Sequence, residues 1–231
     1  MKCLIQLSDC HIDDDPITMG INTQANLDRV LQSLTSQTFD QLLISGDLTH
    51  HGSARSYQLL NEKLSQLKAE PLVIAGNHDD KDQLPKFFNQ VGGCVTLGAW
   101  ELITIDSVVV GETPGYLEQV ELARLDQLLT GSKSEHLMVV LHHPIVDMQS
   151  NWNDDWSLTN AEALFAVLGR HPKVRAVIFG HAHEAKRFNV NGLEIFSCPS
   201  TALQFNDEER LGFNRYYLHD DGQLECETLW I

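Results

Sequence analysis

The chain has 231 residues, of which 42% are hydrophobic, so it is long enough for one well-buried domain and too short for two of ordinary size. Thirty-two acidic residues against sixteen basic ones give a net charge of −16. Such a surface repels a nucleic-acid backbone, because affinity for DNA or RNA comes largely from Lys and Arg neutralising phosphates. We therefore expect one domain over residues 1–231 and no nucleic-acid partner.

Cysteine usage and the apolar runs narrow the class of protein further. The five cysteines are an odd number without a C-x-x-C pair, which argues against a disulfide framework or a thiolate zinc site. No run of about 18 apolar residues indicates a membrane span, and the first seven residues are too short and too polar for a secretory signal. We expect a cytoplasmic protein with no membrane partner, and the sequence leaves open whether it forms a homodimer.

Short apolar runs alternate with helical patterns along the chain, which predicts an α/β layered fold. The predicted strands are, in chain order, Leu4–Leu7, Leu42–Ser45, Leu72–Ala75, Leu102–Ile105, Leu137–Leu141, Ala176–Phe179 and Leu193–Ser197. The final segment predicts a β-hairpin in which Tyr216–Leu218 and Leu224–Trp230 flank a tight Asp221-Gly222 turn.

Helical patterns lie between these strands. A first helix is expected to begin near Thr23, and Ser53 is the predicted N-cap of a second. A third, marked by Leu122, Leu125, Leu128 and Leu129, is expected to end at Gly131. Thr159 and Glu162 have capping-box spacing at the predicted start of a fourth.

Polar side chains directly follow five of the predicted strands. They are Asp9 and His11 after the first strand, Asp47 after the second, Asn77 after the third, His142 after the fifth, and His181 and His183 after the sixth. In open α/β sheets, ligands gather beyond the carboxyl ends of the strands. Nitrogen and oxygen donors without thiolates suit Mn, Fe, Zn or Co. Seven donors exceed one four-coordinate site and suit two metals, with a carboxylate such as Asp47 as a bridge.

Each of these motifs, taken alone, has an ordinary structural interpretation. Asp9-x-His11 and Gly76-Asn77-His78-Asp79 can be plain turns, and His142 can be a core histidine with satisfied hydrogen bonds. All five motifs together, each directly after a strand, favour the metal site. His142 is preferred to His143 as the donor because it comes first after its strand.

The order of the motifs, D-x-H, G-D, G-N-H-D, H and G-H-x-H, resembles the motif series of the calcineurin-like metallophosphoesterases. The resemblance implies a four-layer αββα sandwich, in which two mixed β-sheets are flanked by helices. It implies that Asp9, His11 and His183 hold one metal ion, that Asn77, His142 and His181 hold the other, and that Asp47 bridges them. It further implies that His78 is catalytic and protonates the leaving oxygen, and that Asn77, His78 and His183 contact the substrate.

Further segments, spread over nearly the whole chain, resemble the bacterial class III 3',5'-cyclic-AMP phosphodiesterases. The most specific of them is Pro199-Ser200-Thr201 followed by Gln204-Phe205. The resemblance implies metal-dependent hydrolysis of a phosphodiester, 3',5'-cyclic AMP to 5'-AMP, by in-line attack of a metal-bridging hydroxide. The implied cofactors are two metal ions, with Fe and Mn favoured over Zn and Co, and the implied partner is a small-molecule cyclic nucleotide or phosphodiester.

Two departures from the family pattern keep alternatives open. The segment Asn206–Phe213 is brief, which leaves room for another small phosphate ester, such as a glycerophosphodiester or a dinucleotide, as the substrate. His50 and His51 stand where an acidic residue is frequent, and we expect both to be exposed turn residues rather than ligands. A non-catalytic metal-binding scaffold is the remaining alternative, although such a scaffold is expected to lose ligands or the histidine that faces the phosphate.

Overall fold

The structure is a computed structural model that describes residues 1–67, 69–150 and 152–231. The strands are β1 (Lys2–Leu7), β2 (Ile17–Thr18), β3 (Ile21–Asn22), β4 (Gln41–Ser45), β5 (Pro71–Ile74), β6 (Gln90–Val91), β7 (Cys94–Leu97), β8 (Trp100–Thr104), β9 (His136–Val140), β10 (Val174–Phe179), β11 (Lys186–Val190), β12 (Leu193–Ser197), β13 (Gly212–Leu218) and β14 (Leu224–Trp230). The α-helices are α1 (Thr23–Leu34), α2 (Ala54–Leu64), α3 (Leu84–Phe87), α4 (Gln119–Gly131) and α5 (Ala161–Leu168), and short 3-10 helices cover Ser65–Leu67 and Asp154–Trp156.

Within the described ranges, the strands form two large six-stranded sheets and one small ribbon. The first sheet has the order β14-β13-β1-β4-β5-β6 and the second has the order β11-β12-β10-β9-β8-β7. The central strands β1, β4 and β5 run parallel, as do β8, β9, β10 and β12, whereas β13, β14, β11 and β7 pair antiparallel. Parallel neighbours bring their carboxyl ends to the same sheet edge, so the loops that follow them lie side by side.

Alternation along the strands divides the apolar side chains among separate cores, because successive strand residues point to opposite faces. In β9, Leu137 and Val139 pack with α4 and α5, whereas Met138 and Val140 pack between the two sheets. In β1, Ile5 packs in the core that α1 and α2 cover. Helices thus cover the outer face of each sheet, which confirms the predicted αββα sandwich.

A buried polar side chain joins the two sheets beneath the predicted site. The Nε2 atom of Gln6 in β1 donates to Ser45 Oγ at 2.8 Å and to the carbonyl oxygen of Phe179 in β10 at 3.2 Å. Tyr216 in β13 donates its hydroxyl to Gln6 Oε1 at 2.6 Å. Because buried polar groups are costly unless paired, these hydrogen bonds set the relative position of the strand ends.

Most of the predicted elements are confirmed, and one predicted helix cap is wrong. Ser53 caps α2 as predicted, since its side chain accepts a hydrogen bond from the backbone of the first turn. α4 ends at Gly131, as predicted. The capping box of Thr159 and Glu162 does not form, because the Thr159 hydroxyl donates instead to the carbonyl oxygen of Gly115 at 2.9 Å. In the parts of the chain that the structure describes, no helix combines the length and apolar character that a membrane crossing needs.

Candidate metal centre

The predicted site residues lie together at the carboxyl ends of β1, β4, β5, β9 and β10. Backbone hydrogen bonds join their loops: Asp9 donates to the carbonyl oxygen of Gly46 and His11 donates to that of Asp47, both at 3.0 Å. The second sheet is tied to the first because the backbone N–H of His181 donates to both carboxylate oxygens of Asp9, at 3.1 and 3.0 Å. The fold thus brings the separate motifs into one group.

Five of these residues have left-handed backbone conformations that side-chain-bearing residues rarely adopt. Asp9, His11, Asp47, His181 and His183 have φ angles of 55°, 45°, 49°, 66° and 48°. A residue other than glycine with such a φ costs on the order of 1 kcal/mol or more and persists only where its surroundings impose it. Concentration of this strain in one place is typical of a functional site.

One half of the group consists of donors from β1 and β10. The Nε2 atom of His183 lies 3.1 Å from Nε2 of His11 and 3.4 Å from Oδ1 of Asp9. The Nδ1–H of His183 donates to the carbonyl oxygen of Leu203 at 2.8 Å, so the lone pair of this imidazole is at Nε2. Oδ2 of Asp47 completes this half, 3.6 Å from Nε2 of His11.

The other half is built in the same way around His142. Its Nε2 atom lies 3.2 Å from Nδ1 of His181, 3.3 Å from Oδ1 of Asn77 and 3.5 Å from Oδ1 of Asp47. The Nδ1–H of His142 donates to the carbonyl oxygen of Ser45 at 2.9 Å, which leaves the lone pair of a neutral ring at Nε2.

Backbone carbonyl groups thus orient the histidines so that their lone pairs converge. His181 donates its Nε2–H to the carbonyl oxygen of Trp156 at 3.1 Å, so its Nδ1 lone pair faces His142. Two imidazole lone pairs that face each other need a positive charge between them, which either a proton on His142 or a bound cation supplies. Histidine metal ligands commonly donate their second ring nitrogen to a carbonyl group in this manner. The donor set therefore fits divalent metal ions.

Electrostatics within the metal-free group favours ionised carboxylates. Burial raises the pKa of Asp47, but the neighbouring His142 and His11 outweigh burial and bring the pKa well below its usual range. Burial lowers the pKa of His142, yet the Asp47 and Asp9 carboxylates raise it to about 9. Burial lowers the pKa of His11 to about 3. A cation can take the place of the proton that His142 holds in the metal-free protein.

The neighbouring His143 offers a ring nitrogen within 4.8 Å of nitrogens of His142 and His181, but its hydrogen bonds run to another loop. Its Nδ1 atom lies 2.8 Å from Ser107 Oγ, and its Nε2 atom lies 3.1 Å from the carbonyl oxygen of Thr113. Both ring nitrogens therefore have hydrogen-bond partners in a different loop. The structure brings His142, and not His143, next to the Asp47 carboxylate.

The expectation that His50 and His51 are both exposed turn residues is right for His51 and wrong for His50. The His51 side chain is 69% exposed and pairs with Asp13 at 2.6 Å. His50 is half-buried, and its Nδ1 atom lies 3.2 Å from Nδ1 of His11. Its ring also stacks on that of His78, with centroids 4.8 Å apart. The loop after β4 turns the His50 side chain inward. The sequence alone does not show which of two adjacent histidines faces the site.

Asp79 is a half-buried residue of the site for which the sequence indicated no role. Its carboxylate accepts hydrogen bonds from the backbone N–H groups of Gly76, Leu48 and Thr49 and from the hydroxyl of Tyr57, at 2.9 to 3.1 Å. Burial and the nearby Asp47 raise the pKa of Asp79 to about 6. Asp79 thus ties the loop after β5 to the loop after β4. Its place in the Gly76–Asp79 motif was the available signal, but spacing alone does not separate a loop anchor from a ligand.

A family model described as Calcineurin-like phosphoesterase matches residues 4–185, a range that contains every predicted site residue. The chain belongs to this family, and it is a metal-dependent phosphoesterase. The resemblance inferred from the motif order is therefore confirmed at the level of the family.

Curated proteins extend the likeness over nearly the whole chain. The chain is 48% identical over 229 residues to a "Probable cyclic nucleotide phosphodiesterase" of Vesicomyosocius okutanii subsp. Calyptogena okutanii (strain HA), covering 99% of this chain and 98% of that protein. It is 31% identical over 240 residues to the 3',5'-cyclic adenosine monophosphate phosphodiesterase CpdA of Pseudomonas aeruginosa, covering 96% of this chain and 87% of that protein. A solved dimetal phosphatase from Danio rerio shares the fold, with a TM-score of 0.75 at 15% identity and coverage of 99% and 98% of the two chains.

Proposed function

We propose that the chain, as one catalytic domain over residues 1–231, hydrolyses 3',5'-cyclic AMP to 5'-AMP with two bound metal ions. The observation that carries the proposal is that each carboxylate oxygen of Asp47 lies beside a separate group of metal donors. Oδ2 of this carboxylate lies 3.6 Å from His11 Nε2, and Oδ1 lies 3.5 Å from His142 Nε2. The names of the relatives similar over nearly the whole chain support the cyclic-nucleotide substrate.

The seven donors divide between the two metal ions. In this proposal Asp9, His11 and His183 would hold one ion, Asn77, His142 and His181 would hold the other, and Asp47 would bridge them. Nitrogen and oxygen donors suit Fe and Mn, which we favour, and also Zn and Co. When bound, the two ions would neutralise charge on the phosphoryl oxygens and lower the pKa of a water molecule toward neutrality.

His78 is the proposed catalytic residue of the chain itself. Its Nδ1 atom lies 3.0 Å from the carbonyl oxygen of His50, which holds the proton on Nδ1. Nε2 is therefore the nitrogen that can take up a second proton and pass it to the departing 3'-oxygen. The backbone N–H of His78 also donates to Oδ1 of Asp47 at 2.9 Å, which fixes the loop of the acid to the proposed bridging carboxylate.

Substrate binding completes the proposed roles. Oδ1 of Asn77 faces His142, so the NH₂ group of the same amide is left to donate to a phosphate oxygen. His183 lies in the other half of the group, and together with His78 and Asn77 it would border the phosphate. The anionic substrate would thus meet two cations and a set of hydrogen-bond donors at the site, which offset the repulsion from the net negative charge of the chain.

The direct test is hydrolysis of cyclic AMP by the purified protein, followed by chromatography, with Mn²⁺ added or after chelation. We expect Mn²⁺-dependent formation of 5'-AMP that is absent from an Asp47→Ala variant, which should also lose two-metal binding. Asp13→Ala is the matched control, because this nearby carboxylate pairs with His51 outside the group of donors.

The alternatives give different results in the same experiment. Cleavage of bis(p-nitrophenyl) phosphate without cleavage of cyclic AMP would keep the phosphoesterase chemistry and move the substrate to another small phosphate ester. Turnover of neither substrate by protein that still binds metal would overturn the proposal in favour of a binding scaffold.

A further inference from the structure

Three aromatic side chains form a continuous surface beside the group of metal donors, and we name Trp152, Trp156 and Phe205 the aromatic wall. The ring centroid of Trp152 lies 5.6 Å from that of Trp156 and 5.8 Å from that of Phe205. Trp156 is 43% exposed and Phe205 is 50% exposed. Two exposed aromatic side chains that are joined through a half-buried third, beside a reaction centre, call for a functional explanation.

The aromatic wall directly contacts two histidines of the proposed metal site. The Phe205 ring stacks on the imidazole of His183, with centroids 4.0 Å apart and an interplanar angle of 9°. The Trp152 ring meets His181 edge-on at 5.2 Å. A ligand whose phosphate lies at the metal donors is therefore separated from the aromatic wall by no more than the imidazole rings of these two histidines.

Hydrogen bonds from the two histidine rings to backbone carbonyl groups link both parts of the aromatic wall to the proposed metal site. The carbonyl oxygen of Trp156 itself accepts the Nε2–H of His181 at 3.1 Å. The carbonyl oxygen of Leu203, two residues before Phe205, accepts the Nδ1–H of His183 at 2.8 Å. The segments that carry the aromatic wall thus also orient His181 and His183, so the fold sets the distance between the aromatic wall and the metal donors.

Stacking also suits the charge of this protein. A chain with a net charge of −16 gains little from general attraction to an anionic nucleotide, so affinity beyond the metal ions has to come from neutral contacts. Flat π-faces stack on aromatic side chains regardless of net charge, and every nucleobase has such a face.

We propose that the aromatic wall is the base subsite, on which the purine ring of the bound nucleotide stacks while its phosphate occupies the metal donors. This inference rests on the proposed function and adds the part of the site that selects a nucleotide over a phosphate ester without a base. Trp156 and Phe205 are the specificity-determining residues, and Trp152 packs against both of them.

The test compares two ligands that share a ribose phosphate and differ in the base. Calorimetric titration of the Mn²⁺-loaded protein with 5'-AMP and with ribose 5-phosphate should show tighter binding of 5'-AMP by about 10-fold to 100-fold. Trp156→Ala, which keeps the carbonyl group that orients His181, should remove most of this difference by weakening 5'-AMP alone. Phe205→Leu should act in the same direction, because leucine covers His183 but cannot stack a base.

Conservative and remote variants separate stacking from a general loss of structure. Trp156→Phe should keep most of the preference for 5'-AMP. Tyr217→Ala should keep all of it, because Tyr217 pairs with Cys3 at the end of β1 opposite to Asp9. Equal binding of the two ligands by the unaltered protein, or an unchanged preference in Trp156→Ala and Phe205→Leu, would overturn the base subsite.

Turnover of cyclic AMP, measured in parallel, distinguishes this outcome from failure of the proposed function. If the protein hydrolyses cyclic AMP but shows no base preference that depends on Trp156 or Phe205, the function stands and the base subsite is wrong. If it binds 5'-AMP through these residues without hydrolysing cyclic AMP, the base subsite stands and the proposed reaction is wrong.

Discussion

The imidazole rings of His50 and His78 stack with their centroids 4.8 Å apart, and Nδ1 of His78 lies 3.0 Å from the backbone carbonyl oxygen of His50. His50 also brings its own Nδ1 to 3.2 Å from Nδ1 of His11. One residue in the loop after β4 therefore contacts both a proposed metal ligand and the proposed proton donor. Its side chain contacts both residues, whereas its backbone carbonyl group contacts His78 and is kept in any side-chain substitution.

Replacing His78 should slow turnover without removing metal. His78→Asn is expected to lower kcat by about 10²- to 10⁴-fold, the usual contribution of a general acid, because it removes the nitrogen that protonates the leaving oxygen. Metal analysis by mass spectrometry should find the same metal content as in the unaltered protein. His51→Asn is the matched control and should leave both quantities unchanged. Metal loss in His78→Asn would contradict this division of roles.

Replacing His50 should weaken metal binding instead. For His11 to present its lone pair at Nε2, its Nδ1–H needs an acceptor, and Nδ1 of His50 is in position to accept it. His50→Ala is expected to lower metal affinity about 10-fold to 100-fold in competition with a chelator, the usual effect of losing such a partner. His50→Asp should recover part of the affinity because a carboxylate can accept the same hydrogen bond. Unchanged affinity in His50→Ala would show that His11 needs no such partner.

A single methyl group at Gly76 should disrupt the site. A Cβ atom there would collide with the Asp47 side chain and backbone and with Nε2 of His142. Gly76→Ala is expected to lower the free energy of unfolding by about 1–3 kcal/mol, the usual cost of overpacking, and to reduce metal affinity. The matched control is Gly131→Ala in α4, where a Cβ meets open space; it should raise the free energy of unfolding by about 0.4–1 kcal/mol. Equal metal affinity in both variants would contradict the collision.

The metal-free protein should be most stable near pH 6.5. Burial lowers the pKa of His11 and that of His181 to about 3, from an ordinary pKa of 6.5. Burial also holds the pKa of His143 well below its ordinary range. As the pH falls below 6.5, the unfolded chain binds protons on these three residues that the folded chain does not bind, so the free energy of unfolding falls. Asp79, whose pKa is raised to about 6, opposes this with a single proton between pH 6 and 3.8.

Above pH 6.5, His142 controls how the free energy of unfolding of the metal-free protein depends on pH. Its pKa is raised to about 9 by the Asp47 and Asp9 carboxylates against the effect of burial, so its stabilising contribution is complete below pH 6.5 and is lost as the pH rises through 9. Urea unfolding of chelator-treated protein at a series of pH values measures both limbs. His142→Asn should abolish the decline between pH 6.5 and 9. A free energy of unfolding that rises steadily from pH 6.5 to 9 in the unaltered protein would contradict the assignment.

Local patterns in the sequence determined the layered fold and the residues at the strand ends. Strand alternation and turn residues are properties of neighbouring positions, and parallel strands necessarily present their carboxyl ends at one edge. That rule groups Asp9 with Asp47 in the first sheet, whereas His142 follows a strand of the second sheet and joins them because the two sheets pack face to face. The resemblance to a family added roles for all three. The left-handed backbone of Asp9 and Asp47 could not be foreseen, since the surrounding loops impose it.

Tertiary structure alone decided how the histidines are oriented and what surrounds them. His181 donates to a carbonyl group 25 residues away at Trp156, and His183 donates to one 20 residues away at Leu203. No periodicity links such positions, because the contacts arise only when two sheets pack and their loops meet. The inward turn of His50 has the same origin. Residue identity at strand ends therefore fixed which atoms can bind metal, whereas packing between distant segments fixed the direction of their lone pairs.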